Sequence, residues 1–275
     1  MRVRAGQADL AFDVFGSGRA GDGRGGRADV VLLHAGVCDR RGWGGLVDAL
    51  TGAGHRVAAF DRRGFGETAY TPEPHSSVRD TLAVLARSGM SRVVAVGNSM
   101  GGRVALDLAL ARPDVVEALV LIGTAVRGAP DPTESSPAVD RLVAAIDAAE
   151  DAGDLEEVNR LEAHLWLDGP AGPEGRVGGD ARSLFLDMNW RSLVAEDPGP
   201  EEPLSSAWER LRDIEVPALV VIGELDLPHI QARSATVSAQ LPRGRLLVLR
   251  GVAHVPTVEG SDVLAREVCR FLAPP

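Results

Sequence analysis

The chain has 275 residues, 45% of them hydrophobic and 25% charged, and this composition predicts a folded protein with a sizeable core rather than a disordered one. Its formal net charge is −10 and the acidic residues are spread along the sequence, which excludes a basic surface for nucleic acid. All 29 Lys or Arg positions hold arginine, so lysine Schiff-base chemistry and lysine-dependent phosphate loops are also excluded.

Targeting and redox features are few. The sequence shows neither the apolar core of a signal peptide nor a run of about 18 apolar residues that could span a membrane, so we expect a cytoplasmic protein. Cys38 and Cys269 lie far apart, and such a pair in a cytosolic chain is usually two thiols. The sequence leaves a bond between them open.

Strands and helices alternate in the first half of the chain. Residues 10–15 predict a half-buried strand, residues 16–26 a glycine-rich loop and residues 30–33 a buried apolar strand. The alternation then continues with helices near 46–50, 76–88 and 100–111, and with strands at 56–60, 92–96 and 118–122.

The pattern changes between about residues 126 and 212. Amphipathic helices are predicted there at 138–149, 155–167 and 181–194, with a Gly/Pro-rich turn at 168–179. The earlier rhythm then returns, with strands at 218–222 and 245–249 and helices at 229–241 and 261–272.

This order predicts an α/β fold with a doubly wound, mostly parallel sheet of about eight strands and an inserted α-helical cap. We expect residues 1–125 and 213–275 to form the core. Residues 126–212 should form the cap, over the carboxyl edge of the sheet, where such sheets bind their ligands.

A short motif lies between a predicted strand and a predicted helix. Gly97, Ser99 and Gly101 fit the pattern G-x-S-x-G. A serine held on so sharp a turn is strained, and glycines two residues away leave room for the backbones to pass closely. Two glycines and a serine also occur by chance, but the position between strand and helix favours a nucleophile at Ser99.

A serine nucleophile needs a base and a group that orients the base. Among six histidines, His254 is best placed, in the loop between the last predicted strand and the last helix, whereas His34 more plausibly packs and holds its own loop. Asp226 follows the strand at 218–222 and gives the chain order Ser, Asp, His. Glu224 is the nearest competitor, and either acid could instead cap the following helix.

Acyl transfer also needs backbone donors for a developing oxyanion. The N–H of Met100, next to the candidate nucleophile, is one candidate. The second should come from the loop after the strand at 30–33, where Gly36 allows the backbone to turn its N–H inward, or from Val37.

Over nearly its whole length the chain resembles the α/β-hydrolase family with a helical cap. His34-Ala35-Gly36 resembles the family's His-Gly motif, residues 61–66 its D-x-R-G-x-G loop and residues 97–102 its nucleophile turn. Ala35 replaces the usual glycine, and Ala253 stands where Gly usually precedes the histidine. With serine at the nucleophile position, the resemblance implies hydrolysis of an ester, lactone, thioester or carbon–carbon bond, and not aspartate-nucleophile chemistry.

Other patterns contribute little. A G-x-G-x-x-G match at residues 16–21 is not followed by a helix, so we predict no dinucleotide site, and histidine and cysteine spacing predicts no metal or other cofactor. Large apolar side chains in the cap could line a pocket or pack the cap's own core. The candidate substrate-binding residues are Val37, Trp166, Met188 and Trp190.

The leading hypothesis is a serine hydrolase that acts on a small ester, lactone or related acyl compound through an acyl-enzyme. A non-hydrolytic reaction of the same site, such as perhydrolysis or a lyase reaction, is the first alternative, and a small-molecule receptor is the second. The expected partner is a small-molecule substrate, with neither nucleic acid nor membrane, and the oligomeric state stays open.

Overall fold

A computed structural model describes residues 1–17, 27–132 and 135–273. The glycine-rich loop predicted at 16–26 therefore lies, apart from Gly16 and Ser17, outside the described residues. Within them the sheet has nine strands. They are β1 (Arg2–Ala5), β2 (Ala8–Phe15), β3 (Asp29–Leu33), β4 (Arg56–Phe60), β5 (Ala69–Tyr70), β6 (Val93–Asn98), β7 (Val116–Ile122), β8 (Ala218–Gly223) and β9 (Gly244–Leu249).

The sheet is mostly parallel, as expected. Its order is β1-β2-β4-β3-β6-β7-β8-β9, with β5 paired to β2 beside this path. The strands from β4 to β9 in this order are parallel neighbours, whereas β1, β2 and β5 pair antiparallel at one end. The carboxyl ends of β3, β6, β8 and β9 therefore meet at one edge.

The central strands are apolar throughout because both faces of the sheet are covered. Successive side chains of β3 alternate between two buried clusters: Val31 and Leu33 join one, Val30 and Leu32 the other. The first cluster includes residues of the helices α2 (Ser77–Ser88), α3 (Met100–Ala111) and α7 (Pro228–Gln240). The second includes residues of α1 (Gly44–Gly52) and α8 (Asp262–Leu272), so the sheet is wound on both sides.

In the described residues between β7 and β8 there are three α-helices: α4 (Pro137–Asp151), α5 (Leu155–Glu162) and α6 (Gly179–Leu193). The helix predicted at 155–167 is divided, because α5 continues as a π-helical turn at Ala163–Asp168. Apolar residues of α4 and α5 pack on Leu227 and Ile230 of the core. The helical segment therefore rests on the region that follows β8.

Serine caps explain several helix starts. The hydroxyls of Ser76, Ser136 and Ser261 each accept a hydrogen bond from the backbone three residues ahead, at the first turns of α2, α4 and α8. Short 3-10 helices at Arg40–Trp43 and Trp208–Asp213 complete the described elements.

The structure also bears on the two cysteines and on membrane spans. Cys38, which is buried, and Cys269, which is half-buried, are free thiols. In the described parts of the chain, no helix combines the length and the hydrophobicity that crossing a bilayer requires.

Candidate active site

Ser99 lies between β6 and α3 in a strained conformation. Its φ of 52° is the only positive φ of a non-glycine residue in the part of the chain that the structure describes. The turn is held because the Ser99 N–H donates to the Ile122 carbonyl at 2.8 Å and the Ser99 carbonyl accepts from Ala125 N at 3.0 Å. Strain of this kind persists only where the surroundings fix it, and it is concentrated at functional sites.

The motif requires glycines at these positions for the steric reason predicted from the sequence. A Cβ atom on Gly97 would collide with the backbone of Gly101, and a Cβ atom on Gly101 would collide with the backbone carbonyl of Leu33. A Cβ on Gly102 would meet the hydroxyl of Thr124. These glycines therefore let α3 begin directly against β3 and β7.

His254 and Asp226 form a buried pair. The His254 Nδ1 atom lies 2.8 Å from Asp226 Oδ2, and the two residues are only 2% and 3% exposed. The other carboxylate oxygen of Asp226 accepts the N–H of Leu227 at 2.7 Å. Glu224, the competing acid, instead accepts the N–H of Gly251 at 2.9 Å.

Asn98 connects the serine turn to the histidine loop. Its side-chain amide donates to the carbonyl of Ile122 at 3.0 Å and to that of His254 at 3.1 Å. Within residues 1–17, 27–132 and 135–273, no hydrogen bond of 3.5 Å or less joins the Ser99 hydroxyl to the His254 ring. Such bonds are often long in unliganded enzymes and tighten when substrate binds.

Gly123 is a site residue that sequence reasoning missed. Its φ is +48°, and a Cβ atom there would lie 2.9 Å from His254 Nδ1 and 3.1 Å from Asp226 Oδ2. Only glycine therefore leaves room for the buried pair. The available signal was a glycine directly after the strand at 118–122, at the same sheet edge as Ser99.

Trp166, in the π-helical turn, covers His254. The two ring centroids are 4.8 Å apart with the planes inclined at 44°. The backbone N–H of His254 donates to the backbone carbonyl of Trp166 at 3.2 Å. The helical segment thus contacts the histidine through both backbone and side chain.

The loop 34–37 lies beside Met100, because a Cβ atom on Gly36 would be 3.2 Å from the Met100 Cε atom. His34 holds this loop, as the sequence suggested. Its ring accepts the N–H of Arg62 on Nε2 at 3.1 Å, and its Nδ1 lies 2.8 Å from the Ala35 carbonyl. Burial, and second the charge of Arg62, lowers the pKa of His34 well below its usual value.

Three of the four candidate substrate-binding residues come together. Val37, Trp166 and Met188 belong to one apolar cluster with Ala35 and Val255. Met188 is fully buried there, and its sulfur accepts the Asp39 N–H at 3.5 Å. The structure does not bring Trp190 into this cluster, since its side chain is 37% exposed.

Metal-binding residues do not gather anywhere in the described ranges: no group of three or more His, Cys, Asp or Glu side chains could hold an ion. The site consists of a strained serine, a buried imidazole and carboxylate pair, and an adjacent loop with backbone N–H groups. Chemically, such an arrangement can activate a hydroxyl for attack on an acyl carbon.

Known proteins are similar to this chain in sequence. Among curated proteins, a 2-hydroxy-6-oxononadienedioate/2-hydroxy-6-oxononatrienedioate hydrolase from Pseudomonas putida is 28% identical, and the match covers 98% of this chain and 94% of that protein. A non-heme haloperoxidase from Rhodococcus erythropolis is also 28% identical, with 96% of each chain covered.

Solved structures show the same fold. An enol-lactonase from Burkholderia xenovorans superposes with a TM-score of 0.74 at 21% identity over 99% of both chains. An esterase from a Rhodococcus species superposes with a TM-score of 0.75 at 24% identity, covering 98% of this chain and 97% of that one. The sequence model of the alpha/beta hydrolase family matches residues 30–267. The chain therefore belongs to the alpha/beta hydrolase family.

Proposed function

We propose that this enzyme hydrolyses a small ester, lactone or related acyl compound, with Ser99 as nucleophile, His254 as general base and Asp226 as the acid that orients the base. The observation that carries the proposal is the buried 2.8 Å contact between His254 and Asp226 at the sheet edge where the strained Ser99 turn lies. The similarity to hydrolases along nearly the whole chain supports it.

The proposed proton path follows from the pairing of the imidazole. Asp226 accepts a hydrogen bond from Nδ1–H, so the neutral ring presents its unprotonated Nε2 to the serine. Nε2 takes the Ser99 proton as the hydroxyl attacks the acyl carbon, and Asp226 stabilises the imidazolium that forms. Removal from water strengthens this charge interaction.

In the next steps the tetrahedral intermediate collapses. Its oxyanion would be bound by the N–H groups of Met100 and of Gly36 or Val37. His254 then returns the proton to the leaving group, which departs and leaves an acyl group on Ser99. A water molecule, deprotonated by His254, attacks the acyl-enzyme, releases the acid and restores the serine.

The segment 126–212 would act as a cap over this site. Val37, Trp166 and Met188 share one apolar cluster and Trp166 lies against the His254 ring, which supports apolar surroundings for the acyl group. Trp190 would contribute only from the exposed rim of the segment. The named relatives act on small molecules, among them a lactone and an oxo-dienedioate, which supports a small acyl substrate here.

A second candidate is perhydrolysis at the same site, and the similarity to a non-heme haloperoxidase favours it. Hydrogen peroxide would then replace water in the attack on the acyl-enzyme and release a peracid. This activity would be established if the rate constant for peracid formation, per unit concentration of hydrogen peroxide, exceeded the rate constant for hydrolysis per unit concentration of water.

The test is hydrolysis of p-nitrophenyl acetate and butyrate by the purified protein. Ser99→Ala and His254→Ala should each lose at least about a thousandfold in kcat, and Asp226→Asn a similar amount, because these groups act as a unit. Glu224→Gln, the neighbouring acid, is the matched control and should keep its activity. Full activity in Ser99→Ala would refute the proposal, and tight binding of esters without turnover would favour a receptor.

A further inference from the structure

Arg62, two residues after β4, is a buried arginine whose guanidinium has unusual partners. It is 6% exposed, and in the described ranges no carboxylate lies within 4.0 Å of it. Its Nη2 group donates to the carbonyls of His34 at 3.1 Å and Ala35 at 3.4 Å. The next residue, Arg63, pairs conventionally with Asp80 at 2.8 Å.

The second of these acceptors, the Ala35 carbonyl, also has other donors. The Arg62 backbone N–H donates to His34 Nε2, so the neutral His34 ring carries its proton on Nδ1 and donates it to the Ala35 carbonyl at 2.8 Å. The same oxygen also accepts the N–H of Cys38 at 3.2 Å. With the guanidinium, the Ala35 carbonyl has three donors.

The Ala35 carbonyl belongs to the same peptide unit as the Gly36 N–H. In a planar trans peptide the two groups point in opposite directions, so fixing the carbonyl fixes the N–H. Building on the proposed function, we propose that Arg62 is a positioning residue of the oxyanion site. Its guanidinium holds the Ala35–Gly36 peptide so that the Gly36 N–H, beside Met100, is directed at the developing oxyanion.

The charge of Arg62 adds to this orientation. The guanidinium lies over the Phe65 ring, with its Cζ atom 4.7 Å from the ring centroid. Its Nε atom is buried and has no hydrogen-bond partner among the residues that the structure describes. Burial, and second the charge of Arg103, lowers the pKa of Arg62 to about 9, so the group remains charged at neutral pH. A cation at the oxygen end of the peptide polarises it and makes its N–H a stronger donor.

The experiment compares Arg62→Met and Arg62→Lys with wild type in p-nitrophenyl butyrate hydrolysis and in inhibition by butylboronic acid, which forms a tetrahedral adduct with an active serine. For Arg62→Met we expect kcat to fall by about tenfold or more with KM within about twofold, because the interaction exists mainly in the transition state. The Ki of the boronic acid should rise in parallel. Arg62→Lys should recover part of the loss, since it restores the charge but only one point of contact.

Arg56→Met is the matched control. Arg56 begins the strand that Arg62 follows, and it pairs with Asp29 at 2.8 Å, far from the loop 34–37. This variant should lose stability but keep kcat and Ki. An equal loss of kcat in Arg56→Met, or a rise in KM at unchanged kcat in Arg62→Met, would contradict the positioning role.

Two further results separate the possible failures. If Arg62→Met does not fold, Arg62→Gln decides, because a folded Arg62→Gln protein with wild-type kcat and Ki would overturn the inference. Ser99→Ala serves as the reference for the proposed function itself. Activity that depends on Ser99 but not on Arg62 would remove the positioning role alone, whereas activity independent of Ser99 would remove both.

Discussion

Gly123 shows how little space surrounds the buried pair of His254 and Asp226. Its backbone lies against both the imidazole and the carboxylate, and its positive φ is one that side-chain-bearing residues rarely adopt. Because the pair is buried, neither partner can move outward without breaking the 2.8 Å contact. The geometry of the site therefore depends on a residue that takes no part in the chemistry.

We expect Gly123→Ala to lower kcat by about a hundredfold, since a displacement of about 1 Å at a catalytic group can have such an effect. The measurement is kcat for p-nitrophenyl butyrate together with the free energy of unfolding. Gly153→Ala is the control: its φ is +70°, but a Cβ atom there would have, apart from its chain neighbours, no atom of the described residues within 4 Å. Both variants should lose stability through backbone strain, and equal losses of kcat would speak against the steric argument.

Burial of His34 makes the stability of the folded protein depend on pH. Burial lowers its pKa, so the folded protein keeps the ring neutral, while the unfolded chain takes up a proton as the pH falls through about 6.5. The His34 contribution to the free energy of unfolding is therefore complete above that pH and decreases below it, by up to about 1.4 kcal/mol per pH unit.

Urea unfolding between pH 7.5 and 5.5 measures how the free energy of unfolding changes with pH. His34→Gln should flatten this dependence, and because His55 is present in both proteins, its own lowered pKa cancels in the comparison. An unchanged slope would contradict the assignment.

The residues to which we assign a chemical role carry a signal in the sequence, whereas the residues that contact and support them do not. Ser99 is marked by its flanking glycines, and the structure pairs Asp226, chosen by chain order, with His254. Asn98 and Arg62 make side-chain hydrogen bonds with segments that lie 24 to 156 residues away in the chain, and no local pattern marks such contacts. Their roles depend on the three-dimensional neighbours.

At the scale of elements, strands with continuous apolar runs were the most predictable. β3, β6 and β8 are covered on both faces, so their sequences carry a strong signal. β1 and β5 were missed, because β1 alternates arginines with small apolar residues at the sheet edge and β5 has only two residues. The π-helical turn after α5 was also missed, since a π-helical turn has the same apolar pattern as a continuing helix at this length.

That turn and the loop after it are fastened to the histidine loop by Arg176. Its guanidinium donates to the carbonyls of Leu167 and Gly251 and to Glu259 at 2.7 Å. Glu259 in turn accepts the N–H of Ala253, next to His254, at 2.7 Å. This half-buried ion pair therefore helps to hold the helical segment to the His254 loop.

We expect Arg176→Met to accelerate hydrogen–deuterium exchange of the Ala253 amide and to lower kcat by about tenfold, because the His254 loop loses its anchor. Arg160→Met, which removes an exposed ion pair of the same segment, is the control and should change neither quantity appreciably. Unchanged exchange in Arg176→Met would show that the loop is held by other contacts.

At the scale of the whole molecule, the site exists only because the parallel sheet aligns its strand ends. Ser99 follows β6, Asp226 lies three residues after the end of β8, and His254 lies five after the end of β9. The fold class was predictable from the alternation of elements, and the family match agrees with it. The division into a core and a cap at residues 126–212 stays a prediction, because the helical segment shares its apolar clusters with the core.

The most direct measurement is covalent labelling of the folded protein with an alkyl fluorophosphonate, followed by intact mass and peptide mapping. We expect one adduct per chain, on Ser99, with no adduct in Ser99→Ala or in the urea-unfolded protein and slower labelling in Asp226→Asn. A folded protein that takes no label, or that is labelled at another residue with Ser99 unmodified, would contradict the claim that these three strand ends build a serine nucleophile.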